Sequence, residues 1–157
     1  MKTSPIDIAW KLLAVRGKTE LELLAALARR GVSEGEAKAA VARLKELRYM
    51  DDRQEAAARA RSLVGRGEAP RRAIKRLVGQ GVSEADARAA AEEAREGRSE
   101  DELAALALER KLRGRVPADE GEKRRLFRAL VAKGHRPSAA ARALGIEWDG
   151  EDDVQDG

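Results

Sequence analysis

The chain has no cysteine, no asparagine, a single histidine, and aromatic rings at only 3% of its 157 residues. Without cysteine there are no disulfides and no thiolate metal sites, which fits a reducing compartment. The lone His135 has neither a cysteine nor a second histidine with which to build a common zinc site, so it is expected in a helix-end or surface role. Lacking asparagine and nearly lacking glutamine, the chain is poor in the side chains that read adenine edges, which argues against sequence-specific recognition of DNA. Trp10, Tyr49, Phe127 and Trp148 are too few to stack on successive bases. No apolar run approaches the roughly 18 residues that a membrane helix needs. Asp7 and Lys11 interrupt the N-terminus where a signal peptide would be apolar. Neither a nucleophile elbow nor a glycine-rich phosphate loop occurs. The expectation is a cytoplasmic, non-enzymatic protein with no cofactor and no membrane partner.

What the chain does have is repetition. LARRGVSEGEA at 27–37 returns as LVGQGVSEADA at 77–87 and more faintly as LVAKGHRPSAA at 130–140. Gly31, Gly81 and Gly134 mark the copies, 50 and then 53 residues apart. That period suits a unit of about three short helices, stacked into an array. Alanine abundance and 38% charged residues favour exposed amphipathic helices over sheet.

Helix signals divide the chain further. Ser4, Thr19, Ser33 and Ser99 each stand three residues before an acid (Asp7, Glu22, Glu36 and Glu102), the spacing of an N-terminal capping box. Pro70 suits a first helical position, and the three repeat glycines suit the left-handed residue that closes a helix. These signals, with the apolar spacing, predict helices near 5–15, 20–30, 34–48, 53–65, 70–79, 84–96, 100–113, 122–133 and 138–145. The fold class is therefore all-α: three tandem three-helix repeats forming an elongated, curved array. Residues 1–50 form the first repeat, 51–98 the second and basic one, and 99–146 the third, with a linker at 114–121. Residues 147–157 are expected to be an acidic disordered tail. Leu24, Ile74 and Phe127 fall at one interior position of successive repeats. The helix near 84–96 offers only alanine for burial, so its neighbours must approach closely or hold it loosely.

Charge is unevenly placed. Six acids and no base follow residue 146, so the preceding body has 32 basic against 22 acidic residues, a net +10. In the helix from Pro70 to Gly79, Arg71, Arg72, Lys75 and Arg76 lie within an arc of about 140°, opposite Ile74, Leu77 and Val78. Arg59, Arg61 and Arg66 add to this region, and only Glu68 opposes the seven cations between residues 59 and 76. Arginine binds phosphates and carboxylates through paired donors, so these seven are the candidate site for DNA phosphates or an acidic partner. Asp51 and Asp52 are explained more simply as caps for the helix beginning near Arg53 than as a metal or acid–base pair.

These pieces resemble, in order, the RecX family of regulators of the RecA recombinase. The resemblance lies in LAVRGKTELELLAALARRGVSEGEAKAAVARLKELRYMDDRQEAAARA at 13–60, RGEAPRRAIKRLVGQGVSEADARAA at 66–90 and KRRLFRALVAKGHRPSAAARAL at 123–144. Where the family commonly has an aromatic after the repeat glycine, this chain has Val32 and His135. The resemblance implies a monomer that lies in the groove of a RecA–DNA filament and modulates, chiefly inhibits, its recombinase, ATPase and coprotease activities in DNA repair and the SOS response. An independent DNA-coating module acting through phosphate contacts is the alternative.

Overall fold

The computed structural model describes residues 3–152, and among these residues there are nine α-helices and no strand. They are α1 (Pro5–Val15), α2 (Glu20–Arg29), α3 (Glu34–Glu46), α4 (Asp52–Gly65), α5 (Pro70–Gly79), α6 (Glu84–Arg95), α7 (Glu100–Leu112), α8 (Glu120–Ala132) and α9 (Pro137–Leu144). Each lies within two residues of its expected bounds. The capping signals act as read: Ser4, Thr19, Ser33 and Ser99 each accept the backbone N–H three residues on, and Thr19 with Glu22 completes a reciprocal box. Ser83 and Asp119 cap α6 and α8 in the same way, and α5 and α9 begin instead with a proline.

Three separate cores follow the repeats. Leu23, Leu27, Val41 and Leu44 centre the first, among α1, α2 and α3. The second gathers around Leu77 and Val82, and the third around Leu108, Leu112, Leu130 and Leu144. Leu24, Ile74 and Phe127 each pack, half-buried, against the core of their own repeat. The alanine-rich α6 resolves in favour of close approach. Ala87, Ala90 and Ala94 face Ala56 and Ala60 of α4 in one buried cluster, and α4 and α6 share the most extensive helix–helix contact in the chain. Distributing the core over three small units leaves much surface in water. The accessible area, 10137 Å² for 17.1 kDa, exceeds the roughly 7,700 Å² expected of a compact monomer of this mass.

One contact recurs at both joints between repeats. The turn that closes α5 sits on the start of α2: the Thr19 hydroxyl donates to the Gln80 carbonyl at 2.6 Å. The turn that closes α8 sits likewise on the start of α5, where the Ala69 N–H donates to the Lys133 carbonyl at 2.9 Å. In both turns the next residue is a glycine with positive φ, Gly81 at 97° and Gly134 at 94°. A Cβ on Gly81 would stand 2.4 Å from the Cβ of Leu21, and one on Gly134 would stand 2.7 Å from the Cβ of Arg72. Gly31 closes α2 with φ 81° but has nothing within 4 Å of a Cβ, so this turn is open where the other two are covered.

The same substitution should therefore carry different costs in equivalent turns. Gly31→Ala meets only the left-handed backbone penalty, about 1–2 kcal/mol. Gly81→Ala adds a steric conflict with α2, on the order of 1–3 kcal/mol more. Urea denaturation of the two variants is expected to give the lower midpoint for Gly81→Ala, and equal midpoints would show that the joint yields freely.

Candidate partner and nucleic-acid interface

Of the seven cations singled out in the sequence, Arg59 has an internal role. Its side chain is 15% exposed and sits at the joint between the first and second repeats. Nε donates to Glu55 Oε1 at 2.8 Å. Nη1 donates to Glu22 Oε2 at 3.2 Å and Gln80 Oε1 at 2.8 Å, and Nη2 donates to Glu22 Oε1 at 2.7 Å and the Gly17 carbonyl at 3.2 Å. A guanidinium has five N–H donors, and all are engaged. The Arg59 hydrogen bonds hold the Glu22 carboxyl below its usual range, and Glu22 in turn raises the pKa of Arg59. Arg59 is thus a staple of the fold and is withdrawn from the cationic face.

Of the remaining six, five are exposed and Arg71 is half-buried. Arg61, with its side chain 56% exposed, is 3.9 Å from Glu93. Arg66 is the C-cap of α4, exposed, and its carbonyl accepts a hydrogen bond from Lys133 Nζ at 3.0 Å. Arg72 and Arg76 share Glu68, at 3.8 and 2.8 Å. The one acid noticed in this stretch is largely buried and so offsets two of the ridge cations. Lys75 is exposed on α5. Arg71 is half-buried and lines a cleft of about 220 Å³ between the second and third repeats, with Arg88, Arg95 and Arg136 on its other walls. Helical angle groups Arg71, Arg72, Lys75 and Arg76, and closeness in sequence adds Arg61 and Arg66, but neither shows which of them face another repeat.

The two aspartates at 51–52 divide their work between repeats. Asp51 Oδ1 accepts the N–H of Arg53 at 2.9 Å and caps α4, as expected. Asp52 Oδ1 instead accepts the N–H of Glu20 at 2.9 Å, adding a second cap to α2 across the joint. Burial raises its pKa above the usual carboxylate value, the hydrogen bond from Glu20 opposing this. No group of three or more metal-ligating side chains occurs among the described residues.

His135 is buried, 4% exposed, rather than a surface residue. Its Nε2 lies 2.8 Å from the Gly67 carbonyl. A carbonyl only accepts, so Nε2 carries the proton and ties the third repeat to the second. Burial lowers the His135 pKa, the hydrogen bond to Gly67 opposing this. The acidic segment also begins in contact with the fold. The Trp148 ring stands 5.3 Å from that of Phe127, and Asp152 accepts from the Ser138 N–H at 2.8 Å and its hydroxyl at 2.5 Å. The expected disordered tail therefore does not start at residue 147; residues 153–157 lie outside the described residues.

Two predictions separate these joints. Arg59→Ala leaves Glu22 and Glu55 partly buried without their cation, and is expected to lower unfolding stability by about 2–4 kcal/mol, read from the urea midpoint. His135 binds its proton less readily folded than unfolded, so its contribution is complete above the unfolded pKa, about 6.5, and declines as pH falls below it. The melting temperature should fall between about pH 7 and pH 5 more steeply for the native chain than for His135→Gln. Parallel pH profiles would remove His135 as the titrating group.

Comparison with known proteins agrees with this geometry. Residues 6–44, which span the first repeat, match the family model described as RecX, first three-helix domain. No curated protein matches the sequence. The crystal structure of RecX from Lactobacillus salivarius superposes with a TM-score of 0.68 at 18% identity, over 90% of this chain and 92% of that one. A second crystal structure, of regulatory protein RecX, gives 0.63 at 20% identity, over 90% of this chain and 71% of that one. The chain thus carries a first repeat that matches the RecX first-domain model and, over nine-tenths of its length, a fold similar to that of the two RecX crystal structures.

Proposed function

We propose that this protein is a non-enzymatic regulator of RecA that binds the RecA–DNA filament and restrains its ATPase, recombinase and coprotease activities. The observation that carries this reading is the match of residues 6–44 to the first RecX domain within a chain of RecX fold. A regulatory protein of that fold among the solved structures supports it. The physical features are compatible. Three joined repeats expose a long surface, and cations of α5, flanked by Arg61 and Arg66, remain on the outside of the second repeat. A filament offers phosphates and repeated protein surfaces together, and an array of linked modules gains affinity by meeting several weak sites at once.

RecA-dependent ATP hydrolysis on single-stranded DNA tests the reading. Full-length protein is expected to slow hydrolysis at amounts well below those that coat the DNA, with coverage measured in the same buffer without RecA. Inhibition that begins only at DNA saturation would assign the effect to simple competition for DNA and sink the RecA reading.

A further inference from the structure

The repeat that aligns Ile74 with Phe127 also aligns Arg71, Arg72 and Lys75 with Arg124, Arg125 and Arg128 on α8. The first repeat has Leu21, Glu22 and Ala25 at these positions, so the cationic register belongs to the second and third repeats alone. The two ridges differ in how far they are neutralised. On α5, Arg72 and Arg76 lean on Glu68. On α8, Arg124, Arg125 and Arg128 are all exposed, and none forms an ion pair or side-chain hydrogen bond among the described residues. The neighbouring acids are otherwise engaged: Glu122 meets Arg115 at 3.5 Å, Glu120 meets Lys123 at 3.5 Å, and Asp119 accepts the Glu122 N–H at 2.8 Å.

Like charges also converge here. A Cβ built on Gly121 would lie 3.2 Å from Asp119 Oδ1, 3.7 Å from Arg125 Nη1 and 3.9 Å from Arg124 Nη2. Two guanidinium groups therefore reach back over the same glycine beside the single Asp119 carboxylate, which lies outside ion-pair distance of both and leaves one negative charge against two positive ones. At 100° per residue, Arg124, Arg128 and Arg125 occupy an arc of about 100°. Four residues advance along the axis by about 6 Å, so the face is a short track rather than a point.

We propose that Arg124, Arg125 and Arg128 form a phosphate-binding station for the backbone of duplex DNA, one repeat beyond the α5 ridge. The proposal rests on the filament-binding reading above and adds a site to it. Recurrence of the same cationic register in consecutive repeats favours a ligand whose charge also recurs, and a polynucleotide backbone is such a ligand. The arginines have no aromatic or amide companions on α8 for reading bases besides Phe127, which lies against the core, so the contact is to phosphate and independent of sequence.

The test uses the full chain and a fluorescein-labelled 20-bp duplex without RecA, with anisotropy titrations over a range of salt. The variant carries Arg124→Gln, Arg125→Gln and Arg128→Gln. A control of equal net charge carries Arg29→Gln, Arg30→Gln and Arg48→Gln, in the first repeat. Circular dichroism establishes that both fold. Loss of three phosphate contacts should reduce the slope of log K against log salt by about 2–3 and weaken binding at least tenfold at low salt, with the control much less affected. An unchanged slope, or an equal loss in the control, overturns the station. So does unchanged duplex binding by a variant that no longer inhibits RecA, since the arginines would then meet protein. If the native chain fails to inhibit RecA while the α8 variant shows the reduced slope, the filament reading falls and the station stands.

Discussion

Joining one repeat to the next requires the backbone of one turn to lie against the first turn of a neighbouring helix, and a side chain at the contact would keep them apart. Gly81 and Gly134 meet that constraint. Each closes its own helix in the left-handed region and lets the carbonyl before it, Gln80 or Lys133, accept a hydrogen bond from the preceding repeat. Both demands fall on one residue, which explains why glycine marks the period so clearly. At Gly31 only the first demand remains, because its turn is open. Stability in such an array is local, and each joint adds its own increment.

The two joints share this backbone contact but differ in the chemistry around it. Between the first and second repeats, Arg59 unites groups from α2, α4 and the α5 turn, and Asp52 caps α2 from the far side. Between the second and third, Lys133 and Arg110 donate to the carbonyls of Arg66 and Gly65, and neutral His135 donates to that of Gly67. Acid acts on them at different points. Glu22 has a depressed pKa, so its share of stability is kept above the unfolded carboxylate value, about 4.3, and lost as pH falls through the lower folded value. His135 begins to matter near 6.5. The third repeat is therefore the first to feel mild acid.

Periodic features were legible in the sequence and cross-repeat contacts were not. The nine helices announced themselves through Ser and Thr caps, repeat glycines and apolar spacing, which are local signals. Glu96 at φ 53° and Arg113 at φ 49° also close helices in the left-handed region, but without glycine's signature at that position. Arg59 looked like any exposed cation, because Glu22 lies 37 residues away and the i,i+4 acid Glu55 suggests only a surface pair. His135 does stand at a helix end, but nothing local in the sequence shows that the second repeat covers this turn and buries the ring. Trp148 and Asp152 were hidden in an acidic stretch whose composition reads as solvated.

Location relative to the joints decides what each charge can do. An arginine on α4 that faces the preceding repeat becomes structural, because desolvation demands partners for every donor. An arginine on the outer face of α5 or α8 can retain water and exchange it for a phosphate. Equivalent registers of the middle helix differ accordingly: Glu22 receives Arg59 in the first repeat, Arg72 shares Glu68 in the second, and Arg125 of the third forms no ion pair among the described residues. The same three-helix unit thus passes from charge satisfied within the fold at one end to charge left in water at the other. A polarity of this kind distinguishes the two ends of the array, the cation at the first joint being desolvated and paired while the arginines of α8 stay in water.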